Sequence, residues 1–576
     1  MKHLLSCFAF AIVATTGATQ NCAASDYKAV TDDRLKNPEP ANWLQYRGNY
    51  AGWGYSPLAQ INEKNVGNLE LAWAFATGQV EGHQAPPIVN GGYMFITTPG
   101  SQLIAIDAKT GLELWRYKKD LPADMMQLHP TNRGVALYGD KVYLATMDSH
   151  LVALDAKSGK VAWIQKVGDA KALSYMTLAP LAANGKIMVG SSGGETGVRG
   201  FVAAFDAQSG KELWRTFTTA APGEKGGDTW PGDTHKNGGG SIWITGTYDP
   251  ASNLAYWGTG NPAPWPTEGR KGDNLYTSST IALDVSTGAL KAYHQYTPND
   301  AWDWDEVSAP LLIDTEVKGK KISAAVHAGR NGYLWILERT PNKLGFVGAW
   351  PFVHNNVFTS IDPKTGRPSY DYSKRPGMGK PVGFCPSLWG GKDWPPEAWN
   401  PKTQLFYIPA NNNLCAELGE AEDVKYKKGE LFIGYPIESV LGSLRYKDGK
   451  KPGTIGEIQA WDLKTGKQVW THKYPGINWG PLLTTGGNLV FAAGTTDRKF
   501  RALNATNGKV LWETAMASAS TGVPTSFEVD GTQYIAVQSG WGVDAERVQN
   551  ALNGLNDTAP LKIPQGGTLM VYRLKK

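Results

Sequence analysis

The chain has 576 residues, including 67 glycines and 22 tryptophans, and only 19% of its residues are charged. This composition suits many short strands joined by tight turns and excludes a disordered or mainly helical chain. The net charge of +5 is small and we find no long Lys/Arg run, so nucleic acid is not an expected partner. The basic charge leaves two alternatives open: docking of an acidic protein partner, or an ordinary solvated surface.

The N-terminus predicts a secretory signal peptide over residues 1–24. Lys2 and His3 form a short polar start, residues 4–15 are apolar, and small residues follow up to Ala24. The apolar run is too short for a normal membrane span, and no later stretch is apolar enough to cross a membrane. We therefore expect cleavage after Ala24 and a soluble mature protein, residues 25–576, exported to the periplasm.

The four cysteines fall into two pairs along the chain. Cleavage would remove Cys7 and Cys22. Cys385 and Cys415 would then lie in an oxidising compartment, where they could form one disulfide. No Cys-x-x-Cys-His sequence occurs, which excludes a covalently attached c-type haem.

One pattern recurs along the mature chain: Ala-x-Asp, then a small hydroxyl residue and Gly, then Trp. The Asp caps a turn between two strands, the Gly supplies a positive φ, and the Trp is expected to dock on a neighbouring repeat. Copies about 40 to 50 residues apart fit four-stranded propeller blades. Clear copies end in Trp115, Trp163, Trp214, Trp470 and Trp512, a weaker copy ends in Ala292, and a trace runs from residue 337 to 346 without its Asp and Trp.

These repeats predict an all-β fold: an eight-bladed β-propeller with tryptophan-docking motifs, formed as one domain by residues 25–576. Residues 568–573 alternate between apolar and polar side chains and are expected to pair with the N-terminal region, closing the ring. Long insertions carry no repeat pattern, and in a propeller such loops gather on one face and build the site. The insertions are residues 216–245, 258–281, 292–310 and 340–400.

Rare polar residues fall in or beside these insertions. Asp303 and Asp305 alternate with tryptophans in Trp302-Asp303-Trp304-Asp305. Large aromatic neighbours shield a carboxylate from water, which perturbs its pKa and suits a general base; the alternative is a pair of solvated turn aspartates. Glu195 lies in a Gly-rich segment, and Asn261 follows Gly258-Thr259-Gly260. Carboxylate and amide oxygens are hard ligands, suited to Ca²⁺ or a similar cation and not to zinc.

Together these features resemble quinoprotein alcohol dehydrogenases of the methanol and ethanol dehydrogenase type, over nearly the whole mature chain. The resemblance is carried by the repeats, the Trp302-Asp303 segment, Arg330-Asn331-Gly332, the Cys385/Cys415 pair and Gly258-Thr259-Gly260-Asn261-Pro262-Ala263-Pro264-Trp265. It implies that the chain uses pyrroloquinoline quinone (PQQ) and a metal ion to oxidise an alcohol to an aldehyde or ketone. Because the chain has no haem motif, the electrons would pass to a separate soluble cytochrome c. A homodimer is left open.

The resemblance also implies a role for each candidate residue, with a packing or capping role as the alternative. Asp303 is similar to the catalytic base, and Arg330 to the donor that stabilises negative charge on the quinone oxygens. Glu195 and Asn261 are similar to metal ligands, and Trp243 to the indole that stacks on PQQ. The other matched positions are cofactor contacts at Arg133, Thr177, Ser192, Asn412 and Trp479, and a substrate-pocket wall at Trp265.

The sequence departs from the family pattern just before Asn132-Arg133-Gly134. The family usually places adjacent cysteines there, against the second face of PQQ, but residues 125–131 read Met-Met-Gln-Leu-His-Pro-Thr. We expect a differently shaped pocket, which makes methanol less expected than bulkier primary or secondary alcohols, a polymeric alcohol or a hydroxylated natural product. His129 is expected to line that pocket; the alternative is a surface histidine. A non-catalytic propeller scaffold is the alternative from another class of protein.

Asp305 is the second departure, and it resembles the lanthanide-dependent branch of the family. A trivalent ion takes more oxygen ligands and more negative charge than Ca²⁺. On a locally extended loop, residues two apart point the same way, so Asp303 and Asp305 would both reach the ion beside Glu195 and Asn261. We therefore expect a lanthanide ion. The alternative is that Asp305 caps a turn and the enzyme uses Ca²⁺.

Overall fold

The structure is a computed structural model, and it describes residues 27–123, 125–556 and 560–575. The predicted signal peptide, with Cys7 and Cys22, lies outside the described residues. Strands make up most of the regular structure, so the predicted all-β class is confirmed. Across the described ranges, no helix combines the length and apolar character that crossing a membrane requires.

Eight sheets in the described part of the chain contain four antiparallel strands each, and we number them in chain order. Sheets 1 to 4 lie in the first half of the chain. Sheet 1 comprises Ile88–Asn90, Tyr93–Thr98, Gln102–Asp107 and Glu113–Lys118; sheet 2 comprises Val135–Tyr138, Lys141–Ala145, His150–Asp155 and Val161–Lys166; sheet 3 comprises Leu181–Ala183, Lys186–Gly190, Phe201–Asp206 and Glu212–Phe217; sheet 4 comprises Thr247–Asp249, Leu254–Gly258, Ser279–Asp284 and Leu290–Gln295.

Sheets 5 to 8 complete the series, and sheet 7 carries Tyr55–Ser56 as an additional parallel strand. Sheet 5 comprises Leu311–Val317, Lys320–Ala328, Tyr333–Thr340 and Lys343–Pro351; sheet 6 comprises Ala398–Asn400, Leu405–Asn411, Gly456–Asp462 and Lys467–Tyr474; sheet 7 comprises Leu482–Thr485, Leu489–Ala492, Lys499–Asn504 and Val510–Ala515; sheet 8 comprises Thr525–Val529, Thr532–Ser539, Thr568–Leu574 and Leu69–Ala76.

Sheet 8 joins the two ends of the chain. Leu69–Ala76 pairs antiparallel with Thr568–Leu574, with Phe75 opposite Leu569. The predicted pairing of the last strand with the N-terminal region is therefore confirmed. Because the early strand completes the last sheet, the backbone N–H and C=O groups along that side of Thr568–Leu574 have a partner strand.

The repeated motif forms the turn that the pattern predicts. In sheet 2, Asp155 accepts hydrogen bonds from the backbone N–H of Ser158 at 2.8 Å and from its hydroxyl at 2.7 Å. The Trp115 indole from sheet 1 packs on Gly159 in this turn and donates to the Ala156 carbonyl at 3.1 Å. The same contact recurs between other sheets: Trp163 donates to Ala207, Trp214 to Val285 and Trp470 to Ala505.

We expect Gly159→Ala to destabilise the fold more than Gly531→Ala. The two glycines have φ values of +70° and +71°, so both substitutions incur the same backbone strain. A Cβ on Gly159 would lie 2.6 Å from the Trp115 ring, whereas one on Gly531 would meet nothing within 4 Å. The clash should add about 1–3 kcal/mol of destabilisation. Urea unfolding measures this difference, and equal unfolding midpoints would argue against tryptophan docking at this turn.

The bounds of all four predicted insertions are corrected by the structure: residues 216–217 belong to sheet 3, and residues 258 and 279–281 belong to sheet 4. The corrections are larger for 292–310 and 340–400. Leu290–Gln295 and Lys343–Pro351 are the last strands of sheets 4 and 5, and Ala398–Asn400 opens sheet 6. The weak repeat at 337–346 also has a docking tryptophan, which lies just after the expected position. It is Trp350, in the nine-residue strand Lys343–Pro351, and its ring contacts Gly466 in the turn of sheet 6. The longer hairpin displaces this Trp beyond the spacing of the other repeats.

The remaining elements lie in the connections between sheets. The disulfide Cys385–Cys415, as predicted, joins the segment after Val382–Phe384 to the strand Leu414–Leu418. The described residues also form two small sheets, one from Phe358–Ile361 with Pro368–Tyr370 and one from Val382–Phe384, Leu414–Leu418 and Leu444–Tyr446. The α-helices are α1 (Asp32–Lys36), α2 (Ile437–Leu441) and α3 (Val543–Gly554); the 3₁₀ turns are Val66–Asn68, Ala170–Ala172, Gly194–Thr196, Gly227–Thr229, Thr234–Asn237 and Tyr372–Lys374.

Candidate active site

The connecting loops converge on one cavity of about 280 Å³. They connect successive sheets from sheet 1 to sheet 6, and others come from within sheets 3, 4, 5, 6 and 8. Most residues predicted for the site line this cavity, although they are spread over about 200 positions of the chain. These lining residues are His129, Arg133, Thr177, Ser192, Glu195, Trp243, Trp265, Asp303, Asp305 and Arg330.

The loop that carries Asp303 is held rigidly. The fully buried Asp300 carboxylate accepts the backbone N–H groups of Trp302 at 2.6 Å and Trp304 at 2.9 Å. The two indoles stack on each other and donate to backbone carbonyls at 2.8 and 3.0 Å. Asp303 itself adopts a left-handed conformation, with φ of +61°. The expectation of a locally extended loop is therefore wrong, because the Asp300 cap and the stacked indoles impose a turn; Asp303 and Asp305 nevertheless both line the cavity.

Asp305 joins three loops at the base of the cavity. One carboxylate oxygen accepts the backbone N–H of Asn261 at 2.6 Å, and the other accepts the Trp243 indole N–H at 3.0 Å. Both partners lie more than forty residues away in the chain, so this carboxylate orients a neighbouring loop and the predicted stacking indole.

Arg330 lies among three acidic side chains. It forms an ion pair with Asp393 at 2.7 Å and donates to the Asp303 backbone carbonyl at 2.7 Å. Its Nη1 atom is 3.7 Å from a carboxylate oxygen of both Asp303 and Asp305. Although burial disfavours the charged form, the three carboxylates raise the pKa of Arg330 above its usual range. This guanidinium therefore stays positive beside the predicted base.

The two aspartates have pKa values shifted towards protonation. Burial raises the pKa of Asp303 well above its usual range; Arg330 opposes the shift, and the charges of Asp305 and Glu195 reinforce it. Burial likewise raises the pKa of Asp305 to about 7. A carboxylate destabilised in this way readily takes up a proton or a cation, which suits both a general base and a metal ligand.

The oxygen donors fit a hard cation. The Asn261 side-chain oxygen is buried and has no hydrogen-bond partner, which is costly unless something else satisfies it. It points towards the Gly194-Glu195 segment, since a Cβ on Gly194 would lie 4.0 Å from it. Within the described ranges, no group of three or more His, Cys, Asp or Glu side chains could hold a metal unaided. A cation here therefore needs ligands beyond the carboxylates, such as this amide oxygen and an anionic cofactor.

A cationic and hydroxyl-lined side of the cavity fits the carboxylates of PQQ. Arg133 is fully buried, and burial lowers its pKa. Its Nη1 atom donates to the Thr177 hydroxyl at 2.6 Å, which lies 3.2 Å from the Ser192 hydroxyl. The guanidinium also lies over the Trp243 ring, 4.7 Å from the ring centre. Within the described part of the chain, no carboxylate forms an ion pair with Arg133, and a buried arginine of this kind favours an anionic ligand. The half-buried Trp243 ring offers a flat surface beside it.

The predicted metal ligand Asn261 and two predicted cofactor contacts, Asn412 and Trp479, do not line the cavity. The Asn412 side-chain oxygen accepts the backbone N–H groups of Asn413 at 2.9 Å and His354 at 3.3 Å, which is a capping role. Trp479 is buried in an apolar cluster that also contains Trp394 and Trp541, with Trp243 packed against it. Trp479 therefore belongs to the apolar cluster that supports Trp243.

Sequence reasoning missed several residues of the site. Asp393 pairs with Arg330 and precedes a tryptophan, as Asp303 does, and this Asp-Trp sequence could have indicated a site residue. Tyr175, Asp544 and Arg547 also line the cavity, but α3 joins the site only through tertiary contacts. Seven apolar residues of the cavity lining belong to no sequence motif, and we call them the apolar lip. They are Leu388, Trp389, Leu431, Ile433, Ile437, Val440 and Leu441.

The fold and the cavity define the class: an all-β protein whose central cavity suits an anionic quinone and a hard cation. Comparison with known proteins supplies the family. Residues 43–343 and 476–535 match the family described as PQQ: glucose/ethanol/alcohol dehydrogenase, beta-propeller domain. The chain belongs to this family of PQQ-dependent alcohol dehydrogenases, as its sequence features predicted.

Similar proteins cover nearly the whole chain. It is 37% identical to the quinoprotein alcohol dehydrogenase PedH of Pseudomonas putida, over 98% of this chain and 97% of that protein. It is 36% identical to the lanthanide-dependent methanol dehydrogenase of Methylacidiphilum fumariolicum, over 89% of this chain and 87% of that protein. The solved structure of a europium-containing methanol dehydrogenase matches with a TM-score of 0.87 and 34% identity, over 94% of this chain and 100% of that chain.

Proposed function

We propose that this chain oxidises an alcohol to an aldehyde or ketone in the cavity around Asp303, with PQQ and a metal ion bound there. The observation that carries the proposal is the placement of Asp303 in the cavity, with its backbone fixed by Asp300 and Arg330. A rigidly held carboxylate in a ligand-sized cavity is an arrangement that suits general-base catalysis.

Each residue of the cavity then has a task. Asp303 removes the proton from the alcohol hydroxyl, and the positive Arg330 stabilises negative charge that develops nearby. Trp243 supports one face of the cofactor, while Arg133, Thr177 and Ser192 bind its carboxylates. PQQ with its metal supplies the hydride acceptor when bound. Glu195, Asn261 and the two aspartates provide oxygen ligands for the cation.

For the metal we propose a lanthanide, with Ca²⁺ as the alternative. Glu195, Asp303 and Asp305 line the cavity, and the unpartnered amide oxygen of Asn261 is buried beside the loop that carries Glu195. Arg330 lies 3.7 Å from a carboxylate oxygen of each aspartate. Such a surplus of negative charge favours a trivalent over a divalent ion. The names of two similar proteins, lanthanide-dependent and europium-containing, support the same choice.

For the substrate we propose an alcohol with an apolar tail, bulkier than methanol. The apolar lip borders the outer part of the cavity, and two of its members, Ile437 and Leu441 on α2, are each 42% exposed. Exposed apolar side chains beside a cavity gain free energy when a ligand covers them, by about 0.8 kcal/mol per buried methylene. A polymeric alcohol or a hydroxylated natural product fits the same lip.

We expect Leu441→Ala to lower kcat/KM for hexanol by about fivefold, because about 1 kcal/mol of apolar contact with the tail is lost. The kcat/KM for ethanol should change little, since a short alcohol does not reach the lip. Leu213→Ala is the matched control, because Leu213 is 45% exposed and lies in the outer strand of sheet 3. Equal losses for hexanol and ethanol would contradict the role of the lip.

We also propose the architecture, the cellular location and the electron acceptor of the enzyme. The eight sheets form the blades of one propeller, built from residues 25–576 after removal of residues 1–24 and working in the periplasm. A separate soluble cytochrome c accepts the electrons, because the sequence lacks a c-type haem motif. A non-catalytic scaffold is disfavoured, since it gives no reason for three acidic side chains around one buried arginine and an unpartnered amide.

Steady-state alcohol oxidation tests the proposed function. Purified protein would be supplied with PQQ and either La³⁺ or Ca²⁺, and reduction of an electron-accepting dye would be followed with alcohols from methanol to bulky secondary alcohols. We expect PQQ-dependent turnover that increases with the size of the apolar tail and is faster with La³⁺. Absence of bound quinone and of dye reduction with every alcohol and both metals would refute it.

A further inference from the structure

One fully buried glutamate, Glu306, lies between the loop that carries Asp303 and the turn that carries Arg330. The loop connects sheets 4 and 5, and the turn, residues 329–332, joins the two central strands of sheet 5. Asp303 and Arg330 line the cavity, whereas Glu306 lies behind the lining. Glu306 is therefore an acidic side chain beside the site to which the proposed reaction gives no task.

The carboxyl group of Glu306 holds the backbone of the turn. The Gly332 N–H donates to the Gly329 carbonyl at 3.0 Å, which places Arg330 and Asn331 at the two central positions. Such a turn uses only its fourth N–H internally, so the two central N–H groups need acceptors from elsewhere. The Oε2 atom of Glu306 accepts the Arg330 N–H at 3.1 Å, and its Oε1 atom accepts the Asn331 N–H at 3.3 Å. Because a buried N–H without an acceptor costs free energy, the turn is held on this side chain.

A third contact ties Glu306 to the strand that leads into the turn. Its Oε2 atom is 2.6 Å from Nε2 of His327, a buried residue of Lys320–Ala328. The Tyr296 ring stacks on the imidazole, with the ring centres 4.5 Å apart. The two backbone contacts need only the carboxyl oxygens as acceptors, so they form wherever the proton between Glu306 and His327 lies.

Glu306 is closely packed on both of its sides. A Cβ on Gly329 would lie 2.9 Å from its Oε2 atom and 2.8 Å from the Asn331 side-chain oxygen. The Glu306 N–H donates to the Thr259 carbonyl at 3.1 Å, and a Cβ on Gly258 would clash with the Glu306 carbonyl oxygen. Since Gly258 ends a strand of sheet 4, Glu306 forms a rigid bridge from sheet 4 to the turn of sheet 5.

The position of the turn determines where the Arg330 side chain lies. From this turn the guanidinium pairs with Asp393 at 2.7 Å and donates to the Asp303 carbonyl at 2.7 Å. The loop and the turn therefore meet twice, once through the guanidinium and once through Glu306, which follows Asp303 by three residues. A shift of the turn would move the positive charge relative to Asp303.

We propose that Glu306 is a positioning residue for Arg330 and sets the place of this positive charge beside Asp303 and the quinone. Both oxygens of its carboxyl group are needed, because each accepts one N–H of the turn. The amide of a glutamine keeps the size but has only one accepting oxygen, so Glu306→Gln leaves one buried N–H facing an NH₂ group. The effect on the quinone rests on the proposed function, since it presupposes that PQQ binds beside Arg330.

Hydrogen exchange of the apoprotein, followed by mass spectrometry, tests the positioning without any cofactor. We expect Glu306→Gln to speed backbone exchange in residues 328–334 by about tenfold or more, because one N–H loses its acceptor. Glu457→Gln is the matched control, since Glu457 is also buried and accepts from the Gln459 side chain at 2.6 Å, within sheet 6. It should leave exchange in residues 328–334 unchanged, and unchanged exchange there in the Glu306→Gln protein would overturn the proposal.

The reduction potential of the quinone, in protein loaded with PQQ and La³⁺, tests the consequence for Arg330. A displaced guanidinium stabilises the negative charge of the reduced form less. We expect Glu306→Gln to weaken this stabilisation about tenfold, which lowers the potential of a two-electron couple by about 30 mV. Arg330→Gln should lower the potential at least as much, and adding Glu306→Gln to it should change the potential no further, because Glu306 acts through Arg330.

The possible results separate positioning from folding and from cofactor binding. Equal shifts of the potential with and without Arg330, or a wild-type potential in the Glu306→Gln protein, would overturn the action through Arg330. If Glu306→Gln does not fold, Glu306→Asp replaces it, since its oxygens lie further from the turn and exchange should again be faster. If the wild type retains no PQQ, the proposed function fails, and the exchange measurement still decides whether Glu306 holds the turn.

Discussion

Replacement of Asp303 by Asn lowers kcat for alcohol oxidation by about 10²–10⁴-fold in our expectation, which is the range that a general base contributes. The amide is similar in size to the carboxylate but takes up no proton at neutral pH. The loop should keep its shape, because Asp300 binds the backbone of Trp302 and Trp304 and Arg330 binds the Asp303 carbonyl. The measurement is steady-state alcohol oxidation by protein loaded with PQQ and metal.

Two controls make the Asp303→Asn result interpretable. Asp314→Asn changes an exposed aspartate in sheet 5 and should leave kcat unchanged. The PQQ and metal contents of the Asp303→Asn protein show whether the variant is loaded. If the loaded variant retains more than about a tenth of the wild-type kcat, another group is the base.

Loss of Asp305 should abolish the part of the activity that depends on a lanthanide. We expect Asp305→Ala to reduce the La³⁺-dependent kcat/KM by about 100-fold and to leave the smaller Ca²⁺-dependent activity largely in place. The substitution removes one unit of negative charge and one oxygen ligand, which a trivalent ion needs more than a divalent ion does. Activity titrated with each metal, together with the bound metal content, measures the effect.

Asp305 also orients its neighbours, so a second variant is needed. Asp305→Asn removes the charge but keeps an oxygen able to accept the Asn261 N–H, which Asp305 binds at 2.6 Å. If the charge selects the metal, both variants lose the lanthanide-dependent activity. If only Asp305→Ala loses it, orientation of Asn261 and Trp243 explains the effect; a wild type equally active with Ca²⁺ alone contradicts the lanthanide proposal.

Local sequence patterns predicted much of the fold. The Asp-Gly turn is a short-range motif, so each copy predicts a hairpin from sequence alone. The alternating last strand predicted a pairing with the N-terminal region, where Leu69–Ala76 is the partner. The site could be anticipated for a related reason: insertions between repeats emerge at the same ends of successive sheets. Glu195, Trp243 and Asp303 are therefore neighbours in space although they are far apart in sequence.

Features set by tertiary contacts were not predictable. The backbone of Asp303 adopts a left-handed conformation because Asp300 caps the turn and the two neighbouring indoles stack. The alternation of Asp and Trp alone suggested an extended segment. Trp350 does not match the spacing of the repeat because the hairpin that carries it is longer than the others. Asp544 and Arg547 reach the cavity across more than 400 positions of the chain, and no local pattern encodes such a contact.

The most direct test of the central claim, that this cavity binds PQQ and oxidises an alcohol there, is an anaerobic titration without any electron acceptor. Apoprotein would be loaded with PQQ and La³⁺, freed of excess quinone, and titrated with hexanol while the absorbance of the quinone is recorded. We predict that one quinone is retained per chain and that one equivalent of alcohol reduces it, with the aldehyde released in the same amount. Retention of no quinone, or a bound quinone whose spectrum does not respond to alcohol, would contradict the claim.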